Sequence, residues 1–126
     1  MLLIVYSVLI FIFSSRTEVG VEQYFYGQDK VIHFLTYGIY AFLCLVALSN
    51  KILLLKLFHY FLGLALSVSY GVFNEIYQNF IPEREFSLGD ILANSLGIIT
   101  FLILVYAFQN KKLKSVNFRA RHKSLH

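Results

Sequence analysis

From Val31 to Ser49 the chain runs nineteen residues with His33 as the only side chain that carries charge near neutrality. Ile52 to Phe73 is similarly apolar, its helical pattern continuing to Ile81 before Pro82 stops it, and Leu88 to Phe108 is a third such stretch. A helix needs about 20 mostly apolar residues to cross a hydrocarbon core about 30 Å thick. All three stretches meet that length, and a chain built this way folds as helices across a bilayer.

A shorter run, Leu2 to Phe13, precedes them. Its length also fits a signal-peptide core or a re-entrant segment. No basic residue comes before it and no A-x-A-like site follows, so with Ser14 and Ser15 it reads as a marginal first helix in a locally adapted bilayer. The expected fold is all-α, a membrane-spanning bundle of four transmembrane helices at about 2–15, 31–49, 52–80 and 88–108. Residues 1–109 form the transmembrane domain and 110–126 a basic tail.

Composition closes the other classes. Hydrophobic residues make up 58% and charged residues 14%, with a mean hydropathy of +0.66; disorder requires the opposite balance. Cys44 is the only cysteine, which leaves no disulfide framework within the chain. In mid-helix it reads as a small hydrophobe.

Charge placement sets an expected orientation. Residues 1–109 carry a net −2 and residues 110–126 a net +6, from Lys111, Lys112, Lys114, Arg119, Arg121 and Lys123 with no acid. Directly after an apolar helix, such a tail reads as a juxtamembrane segment near anionic headgroups and not as a nucleic-acid arm. Lys51 and Lys56 flank the turn between the second and third helices, whereas the loops 16–30 and 82–87 are each net −1. The positive-inside rule then places both termini in the cytoplasm and both acidic loops outside.

The polar residues gather at one depth. Asp29, Lys30, His33 and Tyr37 open the second helix; Asn74, Glu75, Gln78 and Asn79 close the third; Glu83, Arg84 and Glu85 lie in the connection; Ser87, Asp90 and Asn94 open the fourth. Asp29, His33 and Tyr37 repeat every four residues and share a helix face, as do Glu75 with Gln78 and Asp90 with Asn94. Ionisable groups at membrane depth turn toward protein or a water-filled cavity and mark functional sites by default. An outward-opening polar cleft is the expected result. Against it, Ser87-x-x-Asp90 also matches a capping box, Lys30 an interfacial anchor, and Arg84 a simple neutraliser of Glu83 and Glu85. His59, toward the other end near Lys56, reads as structural. Tyr24, Phe25, Tyr26, Tyr77 and Phe80 suit an interfacial belt, and Gly63 and Gly71 a close helix approach.

These residues resemble the VanZ-like family of small bacterial membrane proteins. The matching pieces are Asp29-Lys30-x-x-His33-x-x-x-Tyr37, Tyr70 through Glu75-x-x-Gln78, and Pro82-x-Arg84-x-x-Ser87-x-x-Asp90-x-x-x-Asn94-x-x-Gly97, extending from residue 29 to 97. Asn74 stands where the family commonly has an acid, and Glu83 where it has glycine. The resemblance implies a four-helix protein of the bacterial cytoplasmic membrane, in a family whose namesake is associated with resistance to the glycopeptide teicoplanin.

Three functions compete on the residues. In the first, the cleft binds or modifies an anionic, lipid-linked envelope molecule, with Lys30 and Arg84 on its phosphate or carboxylate and Gln78 and Asn94 orienting it. In the second, His33 with Glu75 or Asp90 is an acid/base pair in the same cleft. In the third, the chain is a structural or regulatory membrane partner whose polar groups tie the bundle together. One histidine with no thiolate makes a poor zinc site, and no cofactor motif is present. The expected partners are membrane lipids or a lipid-linked envelope precursor, with neither metal nor cofactor.

Overall fold

A computed structural model describes residues 1–15, 25, 27–49, 51–82 and 84–123, with side chains to residue 120. The described residues form four α-helices and one 3-10 turn, in the order α1 (Leu2–Ser14), α2 (Gln28–Leu48), the turn Ile52–Leu54, α3 (Leu57–Gln78) and α4 (Leu88–Lys123). No strand occurs among them. By length and composition α2, α3 and α4 are each able to cross a membrane, and the chain is a multi-pass membrane protein on that ground. At 1.5 Å per residue α1 is about 20 Å long, shorter than the hydrocarbon core.

The helix bounds differ from those expected in three places, each for a local reason. The second helix starts at Gln28 and not Val31 because Gly27 turns the chain into it with φ of +83°, a left-handed conformation that glycine adopts without steric penalty. The third does not start at Ile52. Lys56 is extended, and its N–H donates to His59 Nδ1 at 2.8 Å, so α3 begins only at Leu57. His59 is therefore the N3 member of a capping box, its ring accepting the N–H of the N-cap residue. The fourth continues fifteen residues beyond Phe108 to Lys123. Nothing after Asn110 breaks a helix, and Lys, Arg, Leu and Ala favour one. The basic segment is thus helical to Lys123, and residues 111–120 are exposed.

The broadest seam is that between α2 and α4. Backbones meet there: a Cβ on Gly97 would lie 2.0 Å from the Phe34 carbonyl oxygen, and one on Gly38 2.4 Å from the Phe101 ring. In lipid, where helices gain little by hiding apolar surface from one another, small residues at such crossings allow the dispersion contacts that hold them. The interior is narrow, built on Tyr37, Ala41, Cys44 and Leu45 of α2, Ser67 and Glu75 of α3, and Ile98 and Leu102 of α4. Large apolar side chains point outward instead, including Ile32 and Leu35 on α2, Phe61 and Phe73 on α3, and Leu92, Leu96 and Ile103 on α4. Continuous apolar exposure on this scale belongs against lipid.

Polar contacts tie α1 and the basic end into place. Tyr70 Oη donates to the Ser7 carbonyl at 2.6 Å, Tyr6 Oη to the Thr36 carbonyl at 3.2 Å, and Ser14 Oγ to Asn74 Oδ1 at 3.2 Å. Tyr40 and Tyr70 stack with centroids 4.8 Å apart. At the opposite end Gln109 is buried: its Oε1 accepts from Tyr60 Oη at 2.9 Å, and its Nε2 donates to the carbonyls of Leu55 at 2.8 Å and Leu53 at 3.4 Å. One side chain thus closes the turn between α2 and α3 onto α4.

Candidate functional site

At the other end of the bundle, the first turns of α2 and α4 meet the last turn of α3. Lys30 is the hub. Its Nζ donates to Asp29 Oδ2 at 2.7 Å and also bonds Asp90 Oδ1 on α4. Gly89 gives the lysine room; a Cβ there would lie 3.0 Å from Lys30 Cε, so the side chain would have to shift slightly. One helix turn deeper, His33 Nδ1 is 3.0 Å from Asn94 Oδ1, and His33 Nε2 is 3.8 Å from Asp90 Oδ2. Because Asn94 presents its carbonyl oxygen, Nδ1 carries the proton in that bond. The Tyr37 ring lies parallel to the imidazole, centroids 6.3 Å apart.

The capping box expected at Ser87 is made by two different residues. Ser87 Oγ accepts from the Asp90 N–H at 3.2 Å, the ordinary N-cap bond. The Ser87 N–H donates not to Asp90 but to Glu75 Oε1 on α3, at 2.7 Å. Glu75, 1% exposed, therefore anchors the start of α4 from a neighbouring helix, and the Asp90 carboxylate is left for Lys30. Of the two carboxylates proposed to pair with His33, Asp90 has an oxygen 3.8 Å from Nε2.

Among the described residues, one buried side-chain donor has no hydrogen-bond partner. Asn94 is 3% exposed, and its Nδ2 donates to no acceptor among the described residues. It faces Gly71 and the Tyr37 ring edge, where a Cβ on Gly71 would be 3.4 Å from Nδ2 and 3.2 Å from Tyr37 Cε1. A buried amide N–H without an acceptor costs about 1–3 kcal/mol, and such groups in native structures call for a reason.

Of the ten residues marked from the sequence, seven join this hydrogen-bonded and ionic network: Asp29, Lys30, His33, Glu75, Ser87, Asp90 and Asn94. Tyr37 packs on it. Gln78 is buried in the last turn of α3, where its carbonyl accepts the Ile81 N–H at 3.0 Å. Arg84 is half-buried in the connection leading to α4, its N–H on the Ile81 carbonyl at 3.2 Å. Glu83, Tyr24, Tyr26 and most of the loop 16–30 lie outside the described residues, and Phe25 is exposed. Sequence reasoning missed the roles of Gly89 and Asn74. The fourfold spacing of Tyr70 and Asn74 signals a shared face, and Asn74 Nδ2 indeed donates to the Tyr70 carbonyl at 2.9 Å.

Comparison with protein-family models, with curated proteins and with solved structures finds no match to this chain. The chemistry of the cluster has to be argued from its own geometry. It offers one ammonium group shared between two carboxylates, an imidazole oriented by an amide, and an unpaired amide donor. Groups of these kinds have the chemistry to donate and accept hydrogen bonds and to exchange a proton.

Proposed function

We propose that this chain is a VanZ-like protein of the bacterial cytoplasmic membrane whose polar cluster binds the anionic headgroup of a lipid-linked envelope molecule on the extracytoplasmic side. In this reading the basic extension of α4 is cytoplasmic, as the positive-inside rule requires. α1, hydrogen-bonded to α2 and α3, is the fourth and shortest span in a locally thinned bilayer.

The observation that carries the proposal is the unpaired Asn94 Nδ2, buried among ionisable groups that three helices deliver to one level. A site that keeps a desolvated donor unpaired is suited to an acceptor brought by a ligand. Lys30 and Arg84 supply the positive charge for a phosphate or carboxylate, and Gln78 and Asn94 the orienting hydrogen bonds. Tyr77 in the last turn of α3 and Phe80 just beyond it are aromatic residues of the kind that sit at a headgroup interface, which supports this reading.

A second reading has its own observation. Lys30 is already held by two carboxylates and Glu75 by the Ser87 N–H, which favours a clasp that fixes α2, α3 and α4 and binds nothing. Extraction of the protein with its surrounding lipid in polymer particles, followed by mass spectrometry of that lipid, separates the two. The binding reading expects an anionic lipid-linked species enriched with the wild type and lost in Lys30→Gln and Arg84→Ala, with His59→Ala unchanged. Glycopeptide susceptibility should follow the same order. Identical lipid profiles in all four proteins would establish the clasp.

A further inference from the structure

We propose that anion binding at this end takes up one proton, which His33 receives as the ligand shares Lys30 with Asp90. The inference rests on the anion-binding reading just given.

The charges at the mouth of the cluster set the problem. Lys30 faces two carboxylates, so the three groups together carry one negative charge before any ligand arrives. An anionic headgroup on the third Nζ donor raises that to at least two. The two carboxylates differ in what they can do about it. Asp29 has a side chain 46% exposed and turns to water; Asp90 is only 13% exposed and cannot. A partly buried carboxylate that loses its cation is strongly unfavourable unless another takes its place.

The replacement stands beside it. His33 Nε2 is 3.8 Å from Asp90 Oδ2, while the Nδ1 side of the ring is fixed by Asn94 Oδ1 at 3.0 Å. Both ring nitrogens therefore face oxygen. Neutral imidazole has a single N–H and serves one of them; imidazolium serves both. The titratable groups beside His33 are Tyr37 from α2, Glu75 from α3 and Asp90 from α4, and Lys30 with Asp29 adjoins it through Asp90. Glu75 is committed to the Ser87 N–H, and Lys30 carries its charge before and after. The imidazole is the side-chain type in this set that can gain a positive charge, and its Nε2 is the atom that faces Asp90. The step is a single protonation: one N–H bond forms at Nε2, the proton comes from water, and no other bond changes. Asn94 is the positioning residue, since it aims Nε2 at Asp90.

Linkage fixes the sign. If the bound state holds one more proton, affinity rises as pH falls, by up to about tenfold per pH unit. The test uses the full-length protein in phosphatidylcholine nanodiscs, titrated by calorimetry with dioctanoyl phosphatidylglycerol. Its phosphodiester stays singly charged, so protons counted from two buffers of different ionisation heat belong to the protein. The expected result is uptake approaching one proton and affinity falling several-fold from about pH 6 to about pH 7.5. His33→Gln should bind with no uptake and a flat pH profile, and Asp90→Asn should bind more tightly, also without uptake. The chain-free headgroup glycerophosphoglycerol forms a second arm: equal binding with the same uptake supports the coupling for a free anion, and selective binding of the lipid supports it for a headgroup. Phosphatidylglycerol binding with no proton uptake by the wild type overturns the coupling and leaves the anion site standing. No binding of either probe at any pH overturns the anion site and the coupling with it. The wild-type proton count decides the matter even where a variant does not fold.

Discussion

Gly97→Ala is the substitution on which the geometry of the site depends most. Its new Cβ would sit 2.0 Å from the Phe34 carbonyl oxygen and 2.8 and 2.9 Å from the Phe34 carbonyl carbon and Cα. All three are backbone atoms, so no rotamer relieves the clash, and α2 and α4 must separate. Ordinary contact begins at 3.4 Å, which requires a shift of about 1.4 Å. His33 and Asn94 lie within one turn of this crossing. Their 3.0 Å bond, lengthened by a similar amount, would pass the range of a hydrogen bond. Overpacking of a core costs about 1–3 kcal/mol, and a backbone clash with a lost hydrogen bond belongs at the upper end of that range. Gly63→Ala and Gly71→Ala are matched controls, because their nearest atoms are the Leu45 Cδ2 at 3.1 Å and the Tyr37 Cε1 at 3.2 Å, both on side chains. Unfolding by steric trapping in bicelles should place Gly97→Ala at least about 1.5 kcal/mol below both controls. Gly97→Ala as stable as Gly63→Ala would refute the close crossing.

The remaining expectations are simpler. Gln109→Ala loses three hydrogen bonds at the basic end; at about 0.6 kcal/mol for an average bond in a membrane, the loss is about 1–2 kcal/mol, and hydrogen exchange should rise in residues 51–56. Glu75→Gln keeps an acceptor for the Ser87 N–H whereas Glu75→Ala orphans it, so the alanine variant should be less stable by about 1–3 kcal/mol in the same unfolding assay. His59→Ala removes the N3 member of the α3 capping box and should cost about 0.5–2 kcal/mol with ligand binding unchanged. In a Cys44→Ala background, an impermeant thiol reagent applied from outside should label Glu85→Cys and not Ser115→Cys; the opposite pattern would invert the topology.

The parts legible in the sequence are those that depend on depth alone. Hydropathy marks where α2, α3 and α4 lie in a membrane, because apolar runs of that length have few other uses. It marks the polar level too, since Lys30, His33, Glu75 and Asp90 each interrupt an apolar pattern. Hydropathy does not distinguish a helix from an extended stretch inside an apolar run, so the break at residues 52–56 is invisible until the His59 side chain is seen capping Lys56. It also reports solvent and not helicity, which is why α4 continues past Phe108 unannounced. Pairing is the other blind spot. That Lys30 meets Asp90, and Glu75 meets Ser87, depends on how closely α2, α3 and α4 approach, and for α2 and α4 that approach needs the missing Cβ at Gly97.

The central claim is that the cluster around Asn94 is a binding site and not a clasp. Electron cryomicroscopy of the protein in native-lipid particles tests it most directly, with a fiducial to give the small bundle enough mass. The account expects headgroup density between Lys30, His33 and Asn94, an acceptor atom within hydrogen-bond distance of Asn94 Nδ2, and His33 drawn closer to Asp90 than 3.8 Å. Lys30 still closed on both Asp29 and Asp90, with Asn94 Nδ2 unpaired and no density above it, would contradict the account.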